Sequence, residues 1–317
     1  EKARIPAVVV GGGTNLVVAD EGFDGLVLLM RQQGTRVESK GGRVLFTAMA
    51  GQNWDTVVEQ AVEEGWAGIE CLSGIPGSAG ATVVQNAGAY GQEIADAVEG
   101  VRVLGRSDLR IDTLRAPACG FGYRRSAFKQ DPGTGVVLSV TLGLKQKGDP
   151  AMLYPELKKE LGRTSAAPGL AEVRKAVLGL RRSKSMLLQP DDDNRRSAGS
   201  FFLNPVLDAE RAGEVIRRSI ETGAVGRAEE IPQWKAGPDR VKLAAAWLIE
   251  KSGFARGHRS GRVGISSRHA LALVHHGGGT TAELLGLARQ MRDAVLDRFG
   301  VRLRPEPAFL GFAQPPL

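Results

Sequence analysis

Residues 197–205 read SAGSFFLNP and set one hydroxyl, that of Ser200, between a glycine and two phenylalanines. Serine side chains mostly face water and are poor acids there. One reading is a turn that opens a core strand. The other is a proton donor held away from water. Two glycine-rich segments carry a second kind of chemistry. In VVVGGGTNLVVAD (8–20), Gly11, Gly12 and Gly13 have no Cβ to keep an anion from their N–H groups, and Thr14 and Asn15 add side-chain donors. A plain glycine hairpin is the alternative. The dinucleotide fingerprint G-x-G-x-x-G fails, because Leu16 stands where its last glycine belongs and LVVAD reads as a strand. The absence of GKS and GKT excludes a lysine-bearing phosphate loop. LSGIPGSAGATVVQNAGAYG (72–91) holds five glycines, and such a loop lets backbone pass close to a bulky flat ligand and its phosphates. A flexible linker is the other reading. Against it, Ile75, Val83 and Val84 are apolar, and Gln85 and Asn86 are uncharged donors.

Other chemistries find little support. Cys71 and Cys119 are the two cysteines and lie far apart, which makes neither a disulfide framework nor a CxxC metal site. His258, His269, His275 and His276 form no zinc pattern, so no metal is expected. The net charge of +7 admits nucleic acid, a surface rich in arginine, or anionic small molecules as its explanation. Basic residues are spread along the chain and aromatics make up only 5%, which turns the reading toward small anions. No apolar run approaches the ~18–20 residues of a membrane span. A cytoplasmic protein is expected, with neither nucleic acid nor membrane as partner. The chain begins at Glu1 and reaches a strand within a few residues. Some upstream sequence is expected to be missing.

Elements must position these groups. A length of 317 residues calls for two or three domains. Residues 7–10, 26–30, 43–50, 101–104 and 136–144 read as short apolar strands. NWDTVVEQAVEEG predicts a helix with Val57, Val58, Ala61 and Val62 on one face and Gly65 as its stop. Val173, Ala176, Val177 and Leu180 mark another helix, and QPDDDNRRSAG reads as a linker. Helices follow at about 208–222 and 241–252, then a strand at 269–274. A last helix at 281–299 opens on a Thr280/Glu283 capping box, carries Leu284, Leu287, Ala288, Met291 and Val295, and ends at Gly300.

Five segments occur together in order: GGGTNLVVADEGFDGLVL, LSGIPGSAGATVVQNAGAYGQE, CGFGYRRSAFK, SAGSFFLNP and LRPEPAFLG. In that order and rough spacing the chain resembles the UDP-N-acetylenolpyruvoylglucosamine reductases, over nearly its whole length. The resemblance implies an α+β fold. Its FAD-binding domain would be of the vanillyl-alcohol-oxidase (PCMH) type in two α/β subdomains, followed by a C-terminal α+β substrate-binding domain. The implied boundaries are 1–185 for the FAD domain (subdomains about 1–66 and 67–185), 186–196 for a linker, 197–304 for the substrate domain and 305–317 for a tail.

The resemblance also implies the chemistry: NADPH reduces FAD, and the flavin reduces the enolpyruvyl ether of UDP-N-acetylglucosamine-enolpyruvate to UDP-N-acetylmuramate. A monomer acting on this small molecule is expected. By the resemblance, Gly11, Gly12, Gly13, Thr14, Asn15 and Leu16 hold FAD together with Ser73, Gly74, Ile75, Pro76, Gly77, Gly80, Asn86, Gly88, Ala89 and Tyr90. Thr14 stands where serine is usual. Ser200 matches the proton donor, with Phe201 and Phe202 expected to wall a dry pocket. Arg124 matches the active-site arginine and Glu306 the active-site glutamate, although Pro307 follows where an aliphatic residue is common. Arg125 reads as a surface residue. Tyr154, Lys184, Asn204 and His269 match substrate contacts, Lys184 at the diphosphate. A half-buried histidine opening a strand is the other reading of His269. His275 and His276 receive no role. An oxidase of a sugar or lactone on the same FAD fold is the alternative.

Overall fold

A computed structural model describes residues 5–151, 154–162 and 168–317 of the chain. Glu1, from which an upstream segment was expected, lies outside them. The chain divides into two compact units. The first takes the residues up to Gly13 and Gly25–Leu187; the second takes Thr14–Asp24 and Leu188–Leu317.

The first unit is built on an antiparallel sheet with strand order Ile111–Arg115, Val98–Gly105, Gly135–Gln146, Arg43–Met49 and Thr35–Lys40. Along Arg43–Met49 burial alternates, and Val44, Phe46 and Ala48 point to the core. Helix α1 (Trp54–Glu63) starts where the Asn53 side chain accepts the Thr56 N–H, and it buries Trp54, Val57, Val58 and Ala61 against the sheet. Helix α2 (Ala79–Gln85) lies within the segment read as a glycine loop. Its composition is poor for a helix. It forms because Gly80 lets it sit on Ala50: a Cβ there would come 2.7 Å from the Ala50 Cβ. Short helices α3 (Ala127–Gln130) and α4 (Pro155–Leu161) follow, then α5 (Leu170–Ser183), which buries Val173 and Val177. Arg174 of α5 forks onto Asp55 of α1 at 2.7 and 3.0 Å and reaches Glu59 at 3.1 Å. Ala7–Val10 and Leu26–Leu29 pair in parallel as a separate ribbon.

The second unit has a four-stranded sheet, ordered Ser197–Ser200, Ala272–His275, Val263–Ile265 and Arg259–Ser260. A three-stranded sheet orders Val206–Asp208, Arg240–Leu243 and Gln233–Lys235. Helices α6 (Ala209–Glu221), α7 (Ala245–Lys251) and α8 (Thr281–Phe299) surround one core. Helix α8 has the expected capping box, with the Glu283 N–H on Thr280 Oγ1 at 3.1 Å and the Thr280 N–H on Glu283 Oε2 at 2.7 Å.

Several expectations are corrected. Residues 240–243 form a strand rather than the start of a helix, because Arg-Val-Lys-Leu alternates and pairs on both sides. The strand expected at 269–274 runs only over Ala272–His275; the Ala272 N–H turns back to the His269 carbonyl at 3.1 Å. Residues 305–317 and Thr14–Asp24 both group with the second unit. Leu16–Val18 pairs in parallel with Ala308–Leu310, and Thr281 and Ala282 donate their N–H groups to the Asp20 carboxylate at 2.6 and 2.9 Å. Within the stretch read as a linker, buried Asn194 exchanges bonds with Ser267, taking its N–H at 2.9 Å.

Candidate active site

In the first unit the two glycine-rich segments meet. A Cβ on Gly11 would lie 2.5 Å from Ser78 Oγ and 3.2 Å from the Ala81 Cβ. A side chain there would have to push Ser78 and Ala81 away. The Ser78 hydroxyl is buried and has no hydrogen-bond partner among the described residues. A buried hydroxyl in want of an acceptor, facing a turn that has shed its side chains, fits the phosphates of FAD. The rest of the loop is held from behind. Ser73 Oγ donates to the Glu70 carbonyl at 2.7 Å, Gly74 N–H to Asp55 at 2.6 Å, and Arg181 Nε to the Gly74 carbonyl at 3.1 Å. Ile75 packs on the core, and the Gly77 carbonyl takes the Trp54 N–H at 3.1 Å. The Ala79 and Gly80 N–H groups at the start of α2 are bonded to the Gln52 and Ala50 carbonyls, both at 2.9 Å. The Ser78 hydroxyl is thus a buried donor at this turn without a protein partner among the described residues.

Past α2 the chain turns through left-handed residues that are not glycine: Asn86 at φ 44° and Tyr90 at φ 48°. Arg124 shares that conformation at φ 52°. The Asn86 amide is fully engaged, donating to Glu93 at 2.9 Å and the Gly122 carbonyl at 2.7 Å and accepting the Ala95 N–H at 3.2 Å. It shapes the loop from inside. Arg124 reaches back to the same loop: one nitrogen donates to the Gly88 carbonyl, the other to the Asn86 carbonyl at 3.4 Å, with Glu93 at 3.7 Å. Gly88 gives it room, since a Cβ would come 3.0 Å from the guanidinium. Arg125, next in sequence, is exposed.

A third group gathers Tyr90, Tyr154 and Lys184. The two phenol rings cross edge to face at 5.6 Å, and the Lys184 ammonium lies 6.0 Å from the Tyr90 ring centre. Burial pushes Tyr90 up to about 12 and raises Tyr154 as well, so both phenols stay protonated donors at neutral pH. Beneath them Glu70 is buried and takes three N–H bonds: from Gly68 at 2.8 Å, Gln92 at 2.8 Å and Ala151 at 2.7 Å. Cys71 and Cys119 are buried and free, and burial pushes their thiols up to about 12 and about 11, which rules them out as nucleophiles at neutral pH.

In the second unit Ser200 ends its strand opposite Ala272 and is half-buried. The chain continues against the C-terminal segment. Leu203 N–H donates to the Arg304 carbonyl and Glu306 N–H to the Phe201 carbonyl, both at 2.9 Å, and Phe202 bridges Pro305. Ser200 and Glu306 thus stand on paired backbone. Asn15 joins them: its carbonyl takes the Ala308 N–H at 3.0 Å, and its Nδ2 reaches the Glu306 carbonyl at 3.5 Å. His269 sits in the turn before Ala272, the partner of Ser200. Asn204 Oδ1 accepts the Ala245 N–H at 2.9 Å and so starts α7. Phe201 and Phe202 are each 1% exposed and belong to the second unit's core, where Phe201 crosses both Phe202 and Phe309 edge to face.

The sequence reading named Ser200, Arg124 and Glu306 but missed Ser78, Glu93, Glu70, Arg181 and Glu156. Ser78 and Glu93 lie inside the glycine-rich segment LSGIPGSAGATVVQNAGAYGQE, whereas Arg181 reaches Gly74 and Glu156 reaches Lys184 from far along the chain.

Comparison with known proteins assigns both parts of the chain to known domain families. Residues 1–108 match the FAD binding domain profile, and 189–310 match the C-terminal domain of UDP-N-acetylenolpyruvoylglucosamine reductase. The class is an FAD-containing oxidoreductase: a vanillyl-alcohol-oxidase-type FAD domain joined to an α+β C-terminal domain. The reductase of that name from Saccharopolyspora erythraea is 48% identical over 315 residues, covering 96% of this chain and 84% of its own. The Thermobifida fusca reductase is 46% identical, with 98% and 87% covered. The solved reductase of Thermus caldophilus superposes with a TM-score of 0.63 at 26% identity, over 97% of this chain and 86% of that one. The chain belongs to the UDP-N-acetylenolpyruvoylglucosamine reductase family.

Proposed function

We propose that this chain reduces the enolpyruvyl ether of UDP-N-acetylglucosamine-enolpyruvate to UDP-N-acetylmuramate, with FAD as cofactor and NADPH as hydride donor. The product is a peptidoglycan precursor, which ties the enzyme to cell-wall growth, shape and division. We propose that it works as a cytoplasmic monomer. Among the described residues no helix is long and apolar enough to cross a membrane. The chemistry FAD supplies when bound is transfer of a hydride, taken from NADPH, to the vinyl carbon of the substrate. Gly11–Leu16 and residues of 73–91 hold it, with the Ser78 hydroxyl toward its phosphates.

As the vinyl carbon gains hydride, negative charge spreads from the neighbouring carbon into the substrate carboxylate. Arg124 meets that carboxylate with the two-pronged geometry a guanidinium offers. Glu306 hydrogen-bonds the enolic form, and Ser200 delivers the proton to carbon. Tyr154, Lys184, Asn204 and His269 orient the nucleotide sugar, Lys184 at its diphosphate. The observation that best supports these roles is the Glu306 N–H bond to the Phe201 carbonyl at 2.9 Å, which sets Ser200 and Glu306 on paired backbone in one unit. Ser200→Ala is the test. Its flavin is expected to be bleached by NADPH at the wild-type rate and to stay reduced when substrate is added. Normal turnover in that variant would falsify the role of Ser200.

A further inference from the structure

Lys184 caps the end of α5, and its ammonium already has an anion: Glu156 Oε2 stands 2.6 Å away. The two side chains keep 30% and 38% exposure, so solutes reach the pair. Glu156 lies in the first turn of α4, two residues after Tyr154, whose ring crosses that of Tyr90 beside the same ammonium. The Glu156 charge acts on both phenols, adding to burial in holding them protonated. One carboxylate thus touches every member of this cluster through charge. A diphosphate brought to Lys184 meets that carboxylate at contact distance, and two anions cannot both sit on one ammonium without strong repulsion.

We infer that Glu156 is a resident competitor for Lys184, a specificity-determining carboxylate that a nucleoside diphosphate must displace to bind. The inference rests on the reading above that Lys184 faces the substrate diphosphate. Glu156 keeps the lysine extended and matched, and it lowers affinity for every ligand by the worth of the ion pair. Ligands with enough negative charge regain that loss by taking the ammonium. Neutral nucleosides do not.

The test measures dissociation constants of UDP and of uridine by calorimetry on the FAD-loaded full chain, in wild type, Glu156→Gln, Lys184→Ala and the double variant. Half-exposed ion pairs are modest, so Glu156→Gln is expected to bind UDP about two- to fivefold more tightly, with uridine unchanged. In the Lys184→Ala background the same substitution is expected to make no difference. A gain in affinity is not what damage to the fold produces, which separates competition from a structural role. Unchanged or weaker UDP binding by Glu156→Gln overturns the proposal, and so does a tightening that persists without Lys184. If Lys184→Ala binds UDP as well as wild type, the diphosphate reading of Lys184 falls and takes the competition with it. If that variant weakens UDP binding while Glu156→Gln gains nothing, only the competition falls.

Discussion

Arg124 shows how much a single side chain can depend on its backbone. It holds a left-handed conformation at φ 52°, and its side chain is only 18% exposed. The fork divides between the Gly88 and Asn86 carbonyls, so its plane is set before any carboxylate arrives. Lysine keeps the charge but offers one ammonium in place of a planar fork. Hydrogen bonds to charged groups contribute roughly 1.5–3 kcal/mol, so Arg124→Lys is expected to lower kcat/KM for the enolpyruvyl substrate by about 10- to 100-fold. Steady-state kinetics check this. A variant within twofold of wild type shows that charge alone suffices and that the fork does not matter. The motif around Arg124 was legible, because GYRRS lies inside a recognisable segment. The carbonyls that orient it were not, since a backbone oxygen leaves no mark on the residue types beside it.

At the scale of elements, the junction of 14–24 with α8 offers a pH test. Asp20 accepts the Thr281 and Ala282 N–H groups, and those two bonds hold its carboxyl below the ordinary 3.8. A carboxylate whose folded pKa is lowered adds stability above its unfolded value and loses it as pH falls through the folded one. Asp20→Asn is therefore expected to melt at a lower temperature than wild type at pH 7, and the gap to narrow as pH drops below 3.8. Thermal melts followed by circular dichroism across that range check it; a constant gap removes Asp20 from the account. Helix α8 was readable because its capping box, apolar stripe and terminal glycine agree with one another. Helix α5 was readable for a similar reason, with Val173 and Val177 buried as its spacing requires. Thr35–Lys40 and Ile111–Arg115 were missed. Both are edge strands of largely polar, exposed residues, whose pairing is decided by a neighbour rather than by their own pattern. Helix α2 was missed because a packing site on Ala50, not propensity, makes it helical.

For the whole molecule, the two units do not follow the order of the chain. Thr14–Asp24 is cut from the N-terminal part and built into a unit whose other residues begin at Leu188. The consequences for folding are specific. Val17 is 4% exposed and belongs to the second core, and Leu16–Val18 supplies the strand beside Ala308–Leu310. Residues 188–317 alone therefore leave an unpaired strand and an apolar gap, with Thr281 and Ala282 lacking their carboxylate. That fragment is expected to melt well below a version in which residues 14–24 are joined to its start by a long flexible linker, and to aggregate more readily. Ser200 and Glu306 sit on backbone that pairs with this same C-terminal segment. The short fragment should accordingly lose the near-ultraviolet signal of Phe201 and Phe309 before its helices melt. Equal melting temperatures for the two fragments show that 14–24 is an attachment rather than part of the unit.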